Sequence, residues 1–202
     1  MNEQFEKLIP ALEKKGYTVS CFDSGEAAAD YLCGLFDGAV IGFGDSVTMS
    51  QMHLYERLSA RNTVYDPKQT KSTAEFLDIA KLCLTTDYFF TSVNAVSEDG
   101  TLVNMDGTGN RIAGSLFGHK KVFFIVGRNK IEPDLEKAIW RVRNVAAPKN
   151  ALRTGRRTPC AFTGKCQDCS SPQRMCNALL IQLQAMKDIE SEVVLIDEDL
   201  GF

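Results

Sequence analysis

The sequence predicts an α/β protein with a mostly parallel sheet flanked by helices. Apolar strand-like runs alternate with amphipathic helical stretches almost throughout, the pattern of a sheet covered on both faces. The 202 residues, with 44% hydrophobic and 24% charged content, suffice for one domain with a substantial core. The expected organisation is a single domain over 1–202, carrying a cysteine-rich loop at 158–177.

Residues 3–15 read as a helix, with Phe5, Leu8, Ile9 and Leu12 at helical spacing and Gly16 as the stop. "YTVSCF" reads as a strand, and "SGEAAADYLCGLF" as a helix opened by Ser24. "GAVIGFG" is a buried strand ending in glycines, "MSQMHLYERLSA" a helix and "NTVYD" a short strand. "STAEFLDIAKLC" has Ser72 and Glu75 in capping-box spacing, and "DYFFTSV" is a further strand. "NAVS" and "TLVN" flank "EDG" as a hairpin, and "KVFFIVG" follows a glycine-rich passage. The helix expected over Asp134–Ala147 places Leu135, Ala138, Ile139, Val142 and Val145 on one face. Met175, Leu179, Leu180, Leu183 and Met186 predict a last helix, and "EVVLID" a last strand.

Composition excludes several classes. The densest apolar run, "VFFIV", is far below the roughly 18 to 20 residues a spanning helix needs, and "MNEQFEKLIP" has no apolar signal core. Seven cysteines, an odd number, fit a reducing cytoplasm better than a disulfide framework. The net charge is −3, yet between Lys120 and Arg157 eleven Lys or Arg face three acids, an excess of +8. That segment reads as a solvated face or as a wall for an anionic small molecule. No recognised nucleic-acid motif accompanies it.

In parallel sheets ligands bind beyond the carboxyl ends of the strands, which directs attention to 42–49, 92–111, 127–130 and 148–176. In "GFGDSVTM", Gly42 and Gly44 permit close backbone approach, while Asp45, Ser46 and Thr48 offer polar groups beside a helix start. Neither a Walker loop nor the dinucleotide glycine fingerprint is present, and a plain strand-to-helix turn explains the passage equally well. The stretch 91–114 concentrates Asn94, Glu98, Asp106, Asn110 and Arg111 among glycines. Turn chemistry accounts for Asp99-Gly100 and Asp106-Gly107 but not for the rest. Arg128 and Lys130, after a central strand, are candidates to reach an anion. His53 and His119 have no catalytic context.

"CAFTGKCQDCSSPQRMC" holds Cys160, Cys166, Cys169 and Cys176, of which only Cys166 and Cys169 have the C-x2-C spacing of zinc or iron–sulfur loops. A four-thiolate site for zinc or an iron–sulfur cluster, reduced thiols and disulfides all remain open. Arg156, Arg157, Lys165 and Arg174 lie close by in sequence and would lower thiolate pKa values. Cys21, Cys33 and Cys83 read as core residues.

"NAVSEDGTLVNMDGTGNRIAG", with "GFGDS" upstream and "VGRNKI" and "RVRNVAAPKN" downstream, resembles the LUD (lactate utilisation) domain family over nearly the whole chain. The resemblance implies a fold similar to ribose-5-phosphate isomerase, glucosamine-6-phosphate deaminase and the coenzyme A transferases. It also implies a small anionic metabolite as ligand and iron–sulfur oxidoreductase subunits as partners, with self-association left open. "TSVNAVSEDGTLVN" is similar to a passage of methylthioribose-phosphate isomerase, but Asn94 stands where that pattern has Asp, and Asn cannot act as a general base. "SEDG" resembles the nucleophile context of coenzyme A transferases and puts Glu98 in the position of an acyl-accepting carboxylate. Three expectations follow: an anion-converting site using Glu98 and Lys130, an accessory redox protein built on the four cysteines, or acyl transfer through Glu98.

Overall fold

The structure, a computed structural model, describes residues 2–202. Among the described residues ten strands form two sheets, accompanied by nine α-helices. The larger contains β1 (Thr18–Phe22), β2 (Val40–Phe43), β3 (Thr63–Tyr65), β4 (Tyr88–Ser92), β7 (Lys121–Gly127) and β10 (Glu190–Ile196). Their order is β1-β10-β7-β4-β2-β3, and every pairing is parallel. The smaller sheet has the order β8-β5-β6-β9. It is built from β5 (Ala95–Ser97), β6 (Leu102–Asp106), β8 (Ile131–Glu132) and β9 (Ala178–Gln182).

Strand alternation splits the core in two. Phe90, Phe123, Ile125, Val194 and Ile196 pack against α2 (Gly25–Gly34), α3 (Val47–Gln51) and α4 (Leu54–Ser59). Phe89, Phe124, Val122, Val193 and Leu195 face the opposite way, onto α1 (Glu3–Lys14) and α5 (Thr73–Cys83). Strands apolar on both faces require such two-sided cover. Caps set the helix starts: Ser24 accepts from Ala27 N, Ser72 from Glu75 N and Asp134 from Lys137 N. A third cluster, Ala95, Val103, Ala138 and Val142, joins the small sheet to α7 (Leu135–Arg141).

Three elements differ from expectation. The predicted helix over 49–60 is broken, because His53 adopts a left-handed conformation (φ 51°) between α3 and α4. The helix expected to end at Ala147 instead passes through a π-helical turn, Val142–Ala146, into α8 (Ala147–Arg153). Of the stretch expected as a last helix, Ala178–Gln182 form β9, antiparallel to β6 from Leu102↔Gln182 to Asp106↔Ala178. The leucine spacing fits a helix, but the open edge of β6 offers backbone partners, and sheet pairing overrides local periodicity. Of the three cysteines expected in the core, only Cys83 is buried; Cys21 is exposed and Cys33 half-buried.

The topology places the site. From β2 the chain passes through α3 and α4 on one face, whereas from β4 it crosses to the other face through the hairpin and α6 (Asn110–Leu116), whose Gly114 abuts Phe89. These two strands are adjacent, so their exits diverge at one crevice, the position where open parallel sheets hold ligands. A Cβ on Gly114 would lie 2.5 Å from the Phe89 ring, so α6 can seat against the sheet there only with glycine.

Candidate functional site

A cavity of about 550 Å³ opens over the carboxyl ends of the central strands. Asp45, Ser46 and Thr48 line it after β2, Lys68 after β3, Ser92 and Asn94 at the end of β4, and Lys130 after β7. The small sheet adds Met105 and Asp106, α6 adds Asn110 and Arg111, and α8 adds Asn150 and Arg153. Cys160, Cys169 and Cys176 form part of the far wall.

Lys130 is the centre of this arrangement. The residue is only 2% exposed, and its Nζ donates to Ser92 Oγ at 2.6 Å and Thr48 Oγ1 at 2.7 Å. Ser92 in turn donates to the Ile125 carbonyl at 2.6 Å, which orients its oxygen to accept from the lysine. No carboxylate lies within ion-pair distance of Nζ among the described residues. Burial, followed by the nearby Arg141 and Arg111 charges, pushes the amine down to about 7. The chain at 200–201 passes directly over this group. A Cβ on Gly201 would lie 2.5 Å from Thr48 Oγ1 and 3.2 Å from Lys130 Nζ, and its φ of +68° suits glycine.

The cavity is electropositive. Lys130, Arg111, Lys68, Lys71, Arg153 and Arg156 line it together with Arg174, against the carboxylates of Asp45 and Asp106. Asp106 is already engaged: its Oδ2 accepts from Arg111 N at 3.0 Å and Ile112 N at 3.3 Å, closing the start of α6, and lies 3.8 Å from Arg111 Nε. Asn94 Oδ1 accepts from Met105 N at 2.9 Å, which leaves its amide NH2 as the group open to a ligand. Both loops are pinned by Arg141, 5% exposed, which donates to the Asn94 carbonyl at 2.6 Å and the Asn129 carbonyl at 2.9 Å.

Several sequence candidates lie elsewhere. Glu98 is outside the cavity, on the hairpin turn, 3.7 Å from Lys7. Arg128 points to solvent and pairs with Asp199 at 2.9 Å and Asp197 at 3.2 Å. Gly42 and Gly44 permit close packing: a Cβ on Gly42 would meet the Cys83 carbonyl at 2.7 Å, and one on Gly44 would meet Thr91 Oγ1 at 2.8 Å. Ser46 precedes α3 but makes no side-chain cap. His119 is buried and stacked on Phe89, while His53 is exposed at the helix break.

The cysteine loop reaches the cavity without assembling a metal cage. Among the described residues no three His, Cys, Asp or Glu side chains converge as metal ligands. Cys160, Cys169 and Cys176 touch the cavity, whereas Cys166 lies off it, 3.9 Å from Arg143. The donor set as arranged does not fit a four-thiolate centre. Arg174 ties the loop instead, donating to the Cys169 carbonyl at 2.7 Å and the Cys176 carbonyl at 3.1 Å.

The sequence reading missed Lys68, Lys71, Ser92 and Arg153. The first two follow β3, whose carboxyl end lies on the same rim as those of β2, β4 and β7. Ser92 and Arg153 fall within the segments 92–111 and 148–176, and Arg153 within the basic stretch Lys120–Arg157, but no residue pattern singles either out there.

Among solved structures, the chain is similar to a DUF162 family protein from Deinococcus radiodurans. The TM-score is 0.54 at 14% identity, over 96% of both chains, which supports the fold. It is also similar to eIF2B delta from Chaetomium thermophilum, with a TM-score of 0.34 at 14% identity over 67% of this chain and 53% of that one, too low to carry an argument. No curated protein matches the sequence. Among the described residues no helix is long and apolar enough to cross a membrane. The LUD domain model matches residues 5–196, and with the resemblance of the central signature this establishes that the chain belongs to the LUD domain family.

Proposed function

We propose that this LUD domain binds and converts a small anionic metabolite in the cavity at the carboxyl ends of the sheet, with Lys130 as the residue at the reacting end. The observation that carries the reading is a buried lysine without a counter-ion in a cavity where cations outnumber carboxylates. An anionic ligand would supply the missing charge, and it would do so in a shielded site where the attraction is strong. Exposed Arg153 and Arg156 would attract the ligand, while Asn94 and Arg111 would hold it deeper inside. Family membership is consistent with a substrate related to lactate utilisation.

The test is calorimetric titration with L-lactate, pyruvate, inorganic phosphate and pyrophosphate at two salt concentrations. At least one anion should bind, more weakly at high salt, and Arg153→Gln with Arg156→Gln should weaken it about 3- to 30-fold through loss of two partly screened charges. Absence of binding by all four anions, or affinity unmoved by salt and by the double substitution, contradicts the proposal.

A further inference from the structure

The anion-binding reading leaves the chemistry at Lys130 unspecified, and the surroundings of Nζ narrow it. We propose that Lys130 is a nucleophilic amine that condenses with the carbonyl carbon of an aldehyde or ketone bearing an anionic group. The inference rests on the anion-binding reading and names its substrate class.

Three features of the geometry support it. The amine lines the cavity yet is shut off from bulk water, which favours condensation over hydrolysis of the product. It has no carboxylate to lock it as ammonium, and the cations Arg141 and Arg111 favour the neutral, nucleophilic form. It is held by two hydroxyls that differ in freedom. Ser92 is committed as a donor to the Ile125 carbonyl at 2.6 Å, whereas Thr48 Oγ1 has only 3.4 Å contacts to the Leu200 carbonyl and Ser92 besides Lys130 itself. Thr48 is therefore the group free to relay a proton.

The step balances without a redox partner. The Lys130 nitrogen lone pair forms a bond to the carbonyl carbon, and the carbonyl π pair moves to oxygen. A proton leaving nitrogen passes through the Thr48 hydroxyl to that oxygen, giving a neutral carbinolamine. The proton that the lysine ammonium gave up to solvent before the attack returns to the carbinolamine hydroxyl, which departs as water and leaves a protonated imine on Nζ. The net change joins the lysine ammonium and the carbonyl compound, with release of one water. The positive imine then draws electrons from the adjacent carbon, the effect by which amine catalysis labilises bonds there.

The rim cations suit a phosphate or a carboxylate on the substrate, so the experiment uses one probe of each kind. The intact protein is incubated separately with glyoxylate and with pyridoxal 5′-phosphate, reduced with borohydride, and mapped by peptide mass spectrometry. The hydride comes from the reagent and converts the imine to a stable secondary amine. The expected result is near-stoichiometric adduct at Lys130, by one or both probes, before any of the exposed lysines is labelled. Label by glyoxylate alone assigns a carboxylated carbonyl, and label by pyridoxal 5′-phosphate a phosphorylated one. Lys130→Arg should lose the adduct, and Thr48→Val should slow its formation at least tenfold. An unlabelled Lys130 under conditions that label exposed lysines overturns the proposal. If anion binding persists in that same sample, the imine fails and the binding reading stands; if binding is also absent, both fail.

Discussion

Lys130→Met should make the ligand-free protein more stable at pH 6 and remove the part of the pH response in stability that Lys130 contributes between about pH 7 and the lysine's ordinary value. Burial depresses the folded-state amine to about 7, while in the unfolded chain it returns to 10.5. Below 7 both states carry the proton, and the folded state bears the whole cost of a buried charge without a partner. Between the two values the unfolded chain binds more protons, so wild-type stability rises with pH across that window. Above 10.5 both are neutral and the penalty is gone. Methionine fills similar space without the charge, so the difference at pH 6 should be roughly 2–5 kcal/mol in favour of the variant, shrinking as pH rises. Denaturant unfolding of both proteins from pH 6 to 10 measures this difference. The same variant should bind anions about 10- to 100-fold more weakly, the value of a charge-assisted hydrogen bond. A destabilised variant with a pH-independent difference would show that Lys130 is held as a satisfied ammonium.

Arg141→Met should cost about 3–5 kcal/mol and loosen the site together, since removing one partner of a buried charged network leaves the others unpaired. The Asn94 and Asn129 carbonyls would each lose a charged donor, and Glu132, 3.6 Å from the guanidinium, would lose its counter-charge. These carbonyls belong to the two loops that present Asn94 and Lys130, so affinity should fall even though Arg141 does not itself line the cavity. Loss of the Arg141 charge should also let the Lys130 amine rise toward its ordinary value. A shift of the denaturation midpoint at unchanged denaturant dependence, with weaker anion binding, is the expected pair of results. A cost below about 1 kcal/mol would show that water replaces the guanidinium at both carbonyls.

The sheet was legible because its strands carry their own signal. Runs such as Val122–Val126 are apolar on both faces, and only a doubly covered strand tolerates that. Ser24 and Ser72 mark helix starts through hydrogen bonds that span three residues, which local sequence can encode. The region Ala178–Gln182 was misread because its fate depends on β6, more than seventy residues away, and helical leucine spacing has no means of recording a vacant sheet edge. The break at His53 likewise has no glycine or proline to announce it.

The site was legible as a place more than as a set of groups. Loops after strands converge in any parallel sheet, so Asp45, Ser46, Asn94, Asp106, Asn110, Arg111 and Lys130 are candidates by position, and the structure brings these seven together. Burial separates residues that sequence treats alike. Arg128 and Lys130 are two positions apart, yet a 3-10 turn over Arg128–Lys130 sends the first to solvent and the second beneath residues 200–201. Glu98 was nominated by a short resemblance, and the hairpin carries it to α1, away from the cavity. The cysteines form a cluster in sequence, but the fold sets Cys160, Cys169 and Cys176 along the cavity wall and leaves Cys166 off it, with Arg174 as the tie.

In the proposed function, an anionic ligand supplies the counter-ion that buried Lys130 lacks. Anion binding must then favour positive charge on Nζ, carried as ammonium with an anion that has no carbonyl and as the protonated imine with a carbonyl substrate. Calorimetric titration of L-lactate, whose carboxylate has no proton to exchange near pH 8, repeated in two buffers of different ionisation heat, measures the protons exchanged. Uptake should approach one proton per site at pH 8, where the free amine is mostly neutral, with little uptake at pH 6 and none with Lys130→Met. Binding at pH 8 without proton uptake, or uptake that survives Lys130→Met, would contradict the proposed function.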